Sequence, residues 1–236
     1  METFKWCGYN WRIGHNWGIT HPQQPLNWYG SDSVRLNADN ELILDITQNA
    51  REFDGDVKPY SVGVVESLEE FKYGIFKWDC KQPMGTNLWS ALWLSGMQTW
   101  PPEIDCMEGW SSPKKPTFVK RLFWLNIKPT MHWGTPDDHK SQGKHNIWRW
   151  WLNENRFNRY MVIWTKEYVK IFYNSHLVKK FDNPDMLREF NVDWKTMKVI
   201  MSMNQCKGFC NEDFVRYVSF NQPMVVRNFE YTPIEY

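Results

Sequence analysis

Almost every apolar stretch in this chain is a short run or an alternation closed at both ends by Gly, Pro, Asn or Asp, and few segments sustain a helical repeat. Such a chain has to bury its apolar side chains from strands. The pattern predicts strands over residues 33–37, 42–47, 60–68, 73–81, 88–94, 103–108, 160–164, 168–173, 176–180, 197–203, 214–220 and 225–231. Ala38-Asp39-Asn40-Glu41 and Asn174-Ser175 supply turns, and Pro184–Phe190 is the one short helix expected. Ten or more strands at this spacing suit an all-β fold, an antiparallel two-sheet β-sandwich of the jelly-roll type. No repeat, linker or low-complexity tract divides the 236 residues, so residues 1–236 read as a single domain. Residues 4–29 and 134–146 read as the longest irregular stretches, the places on a rigid sandwich where binding concentrates.

Charge removes two partner classes. Lys plus Arg total 28 against 27 Asp plus Glu, so no field of one sign draws nucleic acid or an anionic membrane. No cationic start with an apolar core and no long apolar run appears, so neither a signal peptide nor a membrane span is expected, a removed signal being the simpler account if the chain is exported. Tryptophan is in large excess, 16 residues, and the excess has two uses: core packing, for about half of them, and stacking against flat ligands, for which sugar rings are the obvious class. The cysteines, Cys7, Cys80, Cys106, Cys206 and Cys210, are odd in number and form no regular framework, so at least one thiol is free or pairs with another chain. Most read as small buried hydrophobes, and only Cys206 and Cys210 are closely spaced, with a loop disulfide or, less readily, a zinc ligand pair as further readings.

The chemistry is concentrated in Trp100-Pro-Pro-Glu103-Ile-Asp105-Cys-Met-Glu108-Gly-Trp110. On a strand Glu103 and Asp105 share a face while Glu108 has the wrong parity, and a one-residue bulge at Cys106-Met107 would restore it. Three carboxylates in one row repel, so at least one pKa is expected to rise. A pair of carboxylic acids on a cleft floor is what glycoside hydrolysis needs. A solvated acidic face and a calcium site are the bland alternatives. Trp89 and Trp93, four apart and therefore on one face of the preceding strand, place aromatic rings beside the acids.

These residues resemble glycoside hydrolase family 16, whose hallmark in its bulged form is E-[hydrophobic]-D-x-x-E, matched by Glu103-Ile-Asp105-Cys-Met-Glu108. The likeness extends to Tyr73-Gly-Ile-Phe-Lys-Trp-Asp79 with its Pro83-Met-Gly85 turn, to the Trp-rich strand before the acids, to Met131-His132-Trp133-Gly134, to the hairpin around residues 157–178, and to the closing strand at 224–231. It implies a concave cleft in a lectin-like jelly roll, with Glu103 as nucleophile, Glu108 as general acid/base and Asp105 tuning the pair. Trp89 and Trp93 would line subsites, His132 would contact substrate, and Trp100, Trp110 and Trp17 join them as substrate-binding candidates, with Asn10, Trp11 and His15 as outer-loop candidates. Several departures are visible. Pro102 replaces the Gly often found before the first Glu. Ile75, Lys77 and Asp79 stand where Arg, Glu and Arg are common, so an ion pair rebuilt with opposite polarity is expected; Asn158 and Ile163 stand where His and Glu are often found. Arg227 stands where many members carry a calcium-binding Asp, so no cofactor and no required metal is expected.

The implied activity is a retaining endo-β-glycosidase acting on a polysaccharide, with a β-1,3- or β-1,3/1,4-glucan favoured by the dense Trp content. The alternatives are a galactan such as agarose, porphyran or κ-carrageenan, for which Lys114, Lys115, Lys120, Arg121, Lys140 and Lys144 are candidate contacts, and a non-catalytic lectin-like module. Transglycosylation at the same site is a third variant. A monomer and an extracellular or periplasmic location complete the expectations.

Overall fold

The computed structural model describes residues 1–21, 24–83, 87–110, 124–125, 127–144, 147–148, 151–152, 156–193, 195–205 and 218–236. Its strands are β1 (Thr3–Trp6), β2 (Tyr9–Ile13), β3 (Asn27–Tyr29), β4 (Val34–Leu36), β5 (Leu42–Leu44), β6 (Ile46–Phe53), β7 (Asp56–Val62), β8 (Val64–Ser67), β9 (Gly74–Lys81) and β10 (Leu88–Gly96). There follow β11 (Glu103–Trp110), β12 (Trp124–Leu125), β13 (Ile127–Gly134), β14 (His139–Gly143), β15 (Ile147–Trp148), β16 (Asn158–Trp164), β17 (Val169–Tyr173), β18 (His176–Phe181), the helix α1 (Pro184–Phe190), β19 (Met197–Gln205) and β20 (Met224–Pro233). An eight-stranded sheet runs β1-β2-β8-β19-β10-β11-β13-β14 and a seven-stranded sheet runs β18-β17-β16-β9-β20-β5-β4, with small sheets β3-β7-β6 and β12-β15 beside them.

Alternation builds the core. In β9 Phe76, Trp78 and Cys80 are fully buried while Ile75, Lys77, Asp79 and Lys81 between them stay partly exposed. From the other sheet Leu92 and Leu94 of β10, Ile104 and Met107 of β11, and Val199, Met201 and Met203 of β19 are buried against them. Trp6, Trp11, Trp28, Trp78, Trp133 and Trp164 are core residues, so core packing takes a large share of the tryptophans. The helix α1 follows its signals: Pro184 at its start, Asn183 accepting from the Asp185 and Met186 amides, and Met186, Leu187 and Phe190 turned inward. No helix among the described residues is long and apolar enough to cross a membrane.

The structure corrects several boundaries. Residues 4–29 hold β1, β2 and β3 rather than an irregular stretch, and β1 joins β2 through Cys7 and Gly8, both at positive φ, as a two-residue primed hairpin turn requires. Asp54 and Gly55, also both at positive φ, join β6 to β7, a hairpin that the Asp-Gly pair announces and the strand pattern above omits. The strand expected over 60–68 is two strands of different sheets. Gly63 divides them because a Cβ there would lie 2.5 Å from the Ser33 carbonyl oxygen. The stretch 134–146 contains β14, paired to β13 from Thr130↔Gly143 to Gly134↔His139. Residues 214–217 of the strand expected over 214–220, the Cys206–Cys210 pair, Met84 and Gly85 of the turn, and Lys114, Lys115, Lys120 and Arg121 lie outside the described residues.

The expected exchange of ion pairs is present. Asp79 of β9 receives a two-pronged Arg159 guanidinium, at 2.9 and 3.0 Å, and Lys77 lies 3.6 Å from Glu230. Arg227 adds its Nη2 3.6 Å from Asp79 and lies over the Phe157 ring. That position offers a cation where a calcium ligand would have to offer oxygen, so the residues present do not fit a structural calcium there.

Candidate active site

The three acids share one face because of the predicted bulge. Against β10, Trp93 pairs with Asp105 and Leu92 with Met107, so Cys106 is the extra residue; against β13, Asp105 pairs with Thr130 and Glu108 with Lys128. Glu103, Asp105, Glu108 and Trp110 therefore all face the same cleft of about 720 Å³. On the opposite side, Tyr173 of the other sheet donates its hydroxyl to the Cys106 carbonyl at 3.0 Å.

Each acid has its own surroundings. Glu103 accepts from the Trp100 indole N–H at 2.9 Å and lies 3.5 Å from His132 Nε2, which also sits 3.1 Å from Asp105 Oδ2. Glu108 accepts from the Thr130 hydroxyl at 3.2 Å and from the Trp89 indole, with Lys128 Nζ 3.8 Å away. Burial pushes all three carboxyls above their ordinary range, reinforced at Glu103 by Asp105 and at Asp105 by Glu108, while Lys128 and the neighbouring donors pull Glu108 back. Three desolvated carboxyls in one row disfavour carrying three charges at once. One carboxyl kept protonated beside one that can ionise is the pairing that acid/base glycoside cleavage uses.

Aromatic rings line the remaining floor. Trp89 and Trp110 stack at 6.3 Å, Lys128 lies over Trp110 at 5.0 Å, and Trp93 donates to the Ser202 hydroxyl at 3.2 Å. The cleft runs to the N-terminal segment, where Trp17, about half exposed, stacks on buried His15 at 4.1 Å and His15 meets Trp93 edge to face. Glu66, buried behind His15, lies 3.4 Å from its Nδ1. Of the residues singled out in the sequence, Glu103, Asp105, Glu108, Trp89, Trp93, His132, Trp110, Trp100, Trp17 and His15 converge on this cleft. Trp11 does not: it is fully buried, donates to the Trp6 carbonyl and packs on Phe229. Asn10 is tied to Glu69 and lies outside the cleft lining, and Lys140 and Lys144 pair with Asp138 and the Trp151 ring instead.

Sequence reasoning missed several residues of the site, among them Thr130 beside Glu108 and Ser202 beside Trp93. His139 of β14 brings Nε2 within 2.8 Å of His132 Nδ1, Lys128 stands over the acids, and Asn204 joins the floor from β19. Parity in β13 signalled Lys128, two residues from Thr130 and four from His132; His139 carried no local signal, because its hairpin to β13 is set by pairing across sequence.

Residues 21–213 match the family model for glycosyl hydrolases family 16. Glucan endo-1,3-beta-glucosidase A1 of Niallia circulans is 23% identical over 205 residues, 78% of this chain and 28% of its own length. This chain thus spans a little over a quarter of that relative. The fold is similar to the laminarinase catalytic domain of Thermotoga maritima, with a TM-score of 0.70 at 18% identity over 97% of this chain and 92% of that one. It is equally similar to porphyranase B of Zobellia galactanivorans, with a TM-score of 0.72 at 15% identity over 94% and 84%.

Proposed function

The chain belongs to glycosyl hydrolases family 16, and from that membership we propose that it is a retaining endo-β-glycosidase, a single catalytic domain over 1–236 that cuts a β-1,3- or β-1,3/1,4-glucan laid across the eight-stranded sheet. The observation that carries the reading is the bulged row Glu103, Asp105, Glu108 on the floor of an aromatic-lined cleft. Glu108, whose carboxyl burial pushes up, gives its proton to the departing glycosidic oxygen while Glu103 attacks the anomeric carbon as a carboxylate. Glu103 has to be ionised for this step although burial raises it. The Trp100 indole donates to Glu103 and steadies its charge when ionised, and Asp105, hydrogen-bonded to Glu103, tunes it from the same face of the strand. Glu108, now a base, then activates the water that releases the glycosyl-enzyme.

The glucan preference is supported by the stacking surface that Trp89, Trp93, Trp110 and Trp17 offer to an unsulfated chain, and by the name of the Niallia circulans relative. One observation favours a galactan bearing anionic groups: Lys128 places a cation over Trp110 within the cleft. The two divide on product release from a polymer panel. The protein acts as a monomer outside the cytoplasm and needs no metal, since two carboxyl groups suffice for the double displacement. Proton NMR of the first reducing ends tests the stereochemistry: the β-anomer appears first under this reading, and the α-anomer first would contradict it.

A further inference from the structure

We propose that Glu103, Asp105 and His132 together form a transition-metal site on the cleft floor, which takes Zn²⁺ in place of substrate and reversibly arrests hydrolysis. His132 Nε2 lies 3.1 Å from Asp105 Oδ2 and 3.5 Å from Glu103 Oε1, and one ligand atom from each of the three residues falls within 4.8 Å of the others. Tetrahedral ligands at about 2.0–2.1 Å from Zn²⁺ stand about 3.3 Å apart. The two His132 edges, 3.1 and 3.5 Å, bracket that separation. Asp105 is 3% exposed and its Oδ2 makes no hydrogen bond, so a buried lone-pair oxygen is aimed at an imidazole nitrogen. His139 supplies the outer contact such a ligand requires: its Nε2 accepts from His132 Nδ1–H at 2.8 Å in the tautomer that leaves the His132 Nε2 lone pair facing the two carboxylates. The two rings are nearly coplanar, 11° apart, and Trp100 lies against His139 at 4.9 Å, which fixes their orientation. All three ligands line the cleft, so the fourth position opens toward a water or a sugar hydroxyl, as in three-ligand zinc sites. An imidazole nitrogen among the donors selects Zn²⁺, Co²⁺ or Cu²⁺ over Mg²⁺ and Ca²⁺, which favour oxygen alone.

Arrest of hydrolysis rests on the glycosidase reading, whereas metal binding does not, and the test separates them. Co²⁺ is titrated into the full chain while visible absorption is followed, Zn²⁺ binding is measured by calorimetry, and hydrolysis is assayed in parallel with Zn²⁺, Mg²⁺ and Ca²⁺. One equivalent of Co²⁺ is expected to give an intense tetrahedral band that Zn²⁺ and a chelator abolish, and Zn²⁺ is expected to raise KM while Mg²⁺ and Ca²⁺ do not. His139→Ala, checked for an unchanged melting transition, is expected to weaken Zn²⁺ binding about 10–100-fold. His132→Ala is expected to remove the Co²⁺ band. Absence of any band or heat, or metal binding that persists unchanged in His132→Ala, overturns the site. Metal bound as described by a protein that hydrolyses no polysaccharide leaves the site standing and contradicts the glycosidase reading instead.

Discussion

Substituting Tyr173 by Phe tests how the bulge is held. Cys106 is paired with no residue of either neighbouring strand, and the Tyr173 hydroxyl, itself fully buried, reaches its carbonyl at 3.0 Å from the other sheet. Phenylalanine keeps the ring and its edge-to-face contact with Tyr160 at 5.1 Å, so the change removes one hydrogen bond and little packing. A buried acceptor left without a partner costs about 1–3 kcal/mol. Taking about 2 kcal/mol, the melting temperature of a domain of this size falls by about 4–8 °C. The bulge also sets the parity of Glu108, so relaxation there lowers kcat with little change in KM, because the acid is misplaced while the aromatic floor is untouched. Calorimetry and initial rates on a soluble glucan measure both. An unchanged melting temperature with unchanged kcat would refute the claim that Tyr173 holds the bulge.

Trp17→Ala is expected to raise KM for long oligosaccharides several-fold and to leave kcat on the shortest cleaved ones unchanged, because His15 and Trp93 stand between the ring and the acid row; equal effects at all lengths would count against the assignment. His15 is held below its usual pKa by burial, an effect that its bond to Glu66 only partly offsets. The unfolded chain therefore takes up the proton first, so stability is complete above about pH 6.5 and declines as pH falls below it. His15→Gln is expected to flatten that part of a melting-temperature profile. Asp79 is lowered: burial raises it, but the Arg159 pair and Arg227 outweigh burial. Its contribution is present above about pH 4 and is lost as pH falls through the depressed value. Asp79→Asn is expected to cost about 1 kcal/mol at neutral pH and almost nothing at the lowest pH tested, read from denaturant midpoints.

The site was legible where the chemistry is local. Parity along Glu103-Ile104-Asp105 and the mismatch at Glu108 imply the bulge at Cys106-Met107, and spacing puts Trp89 and Trp93 on the face that meets them. The strands that wall the cleft were less legible. Cys7 at φ 49° is an unusual residue for a primed turn, so the β1–β2 hairpin carried no Asn-Gly or Asp-Gly signal. Trp11 and Trp17 are six residues apart in one Trp-rich segment, yet one is buried under Phe229 and the other stands in the cleft, a distinction made by the pairing of β2 with β8. His139 follows Pro136-Asp137-Asp138, which reads as loop, and only its register opposite Gly134 carries it to His132.

Reducing-sugar release from laminarin, mixed-linkage glucan, agarose, porphyran and κ-carrageenan, run in parallel on the wild-type chain and on Glu103→Gln and Glu108→Gln, tests the central claim most directly. The account predicts hydrolysis of one of the two glucans by the wild type and its loss in both variants. Hydrolysis that survives either substitution at near-normal rate would contradict the assignment of the acid row.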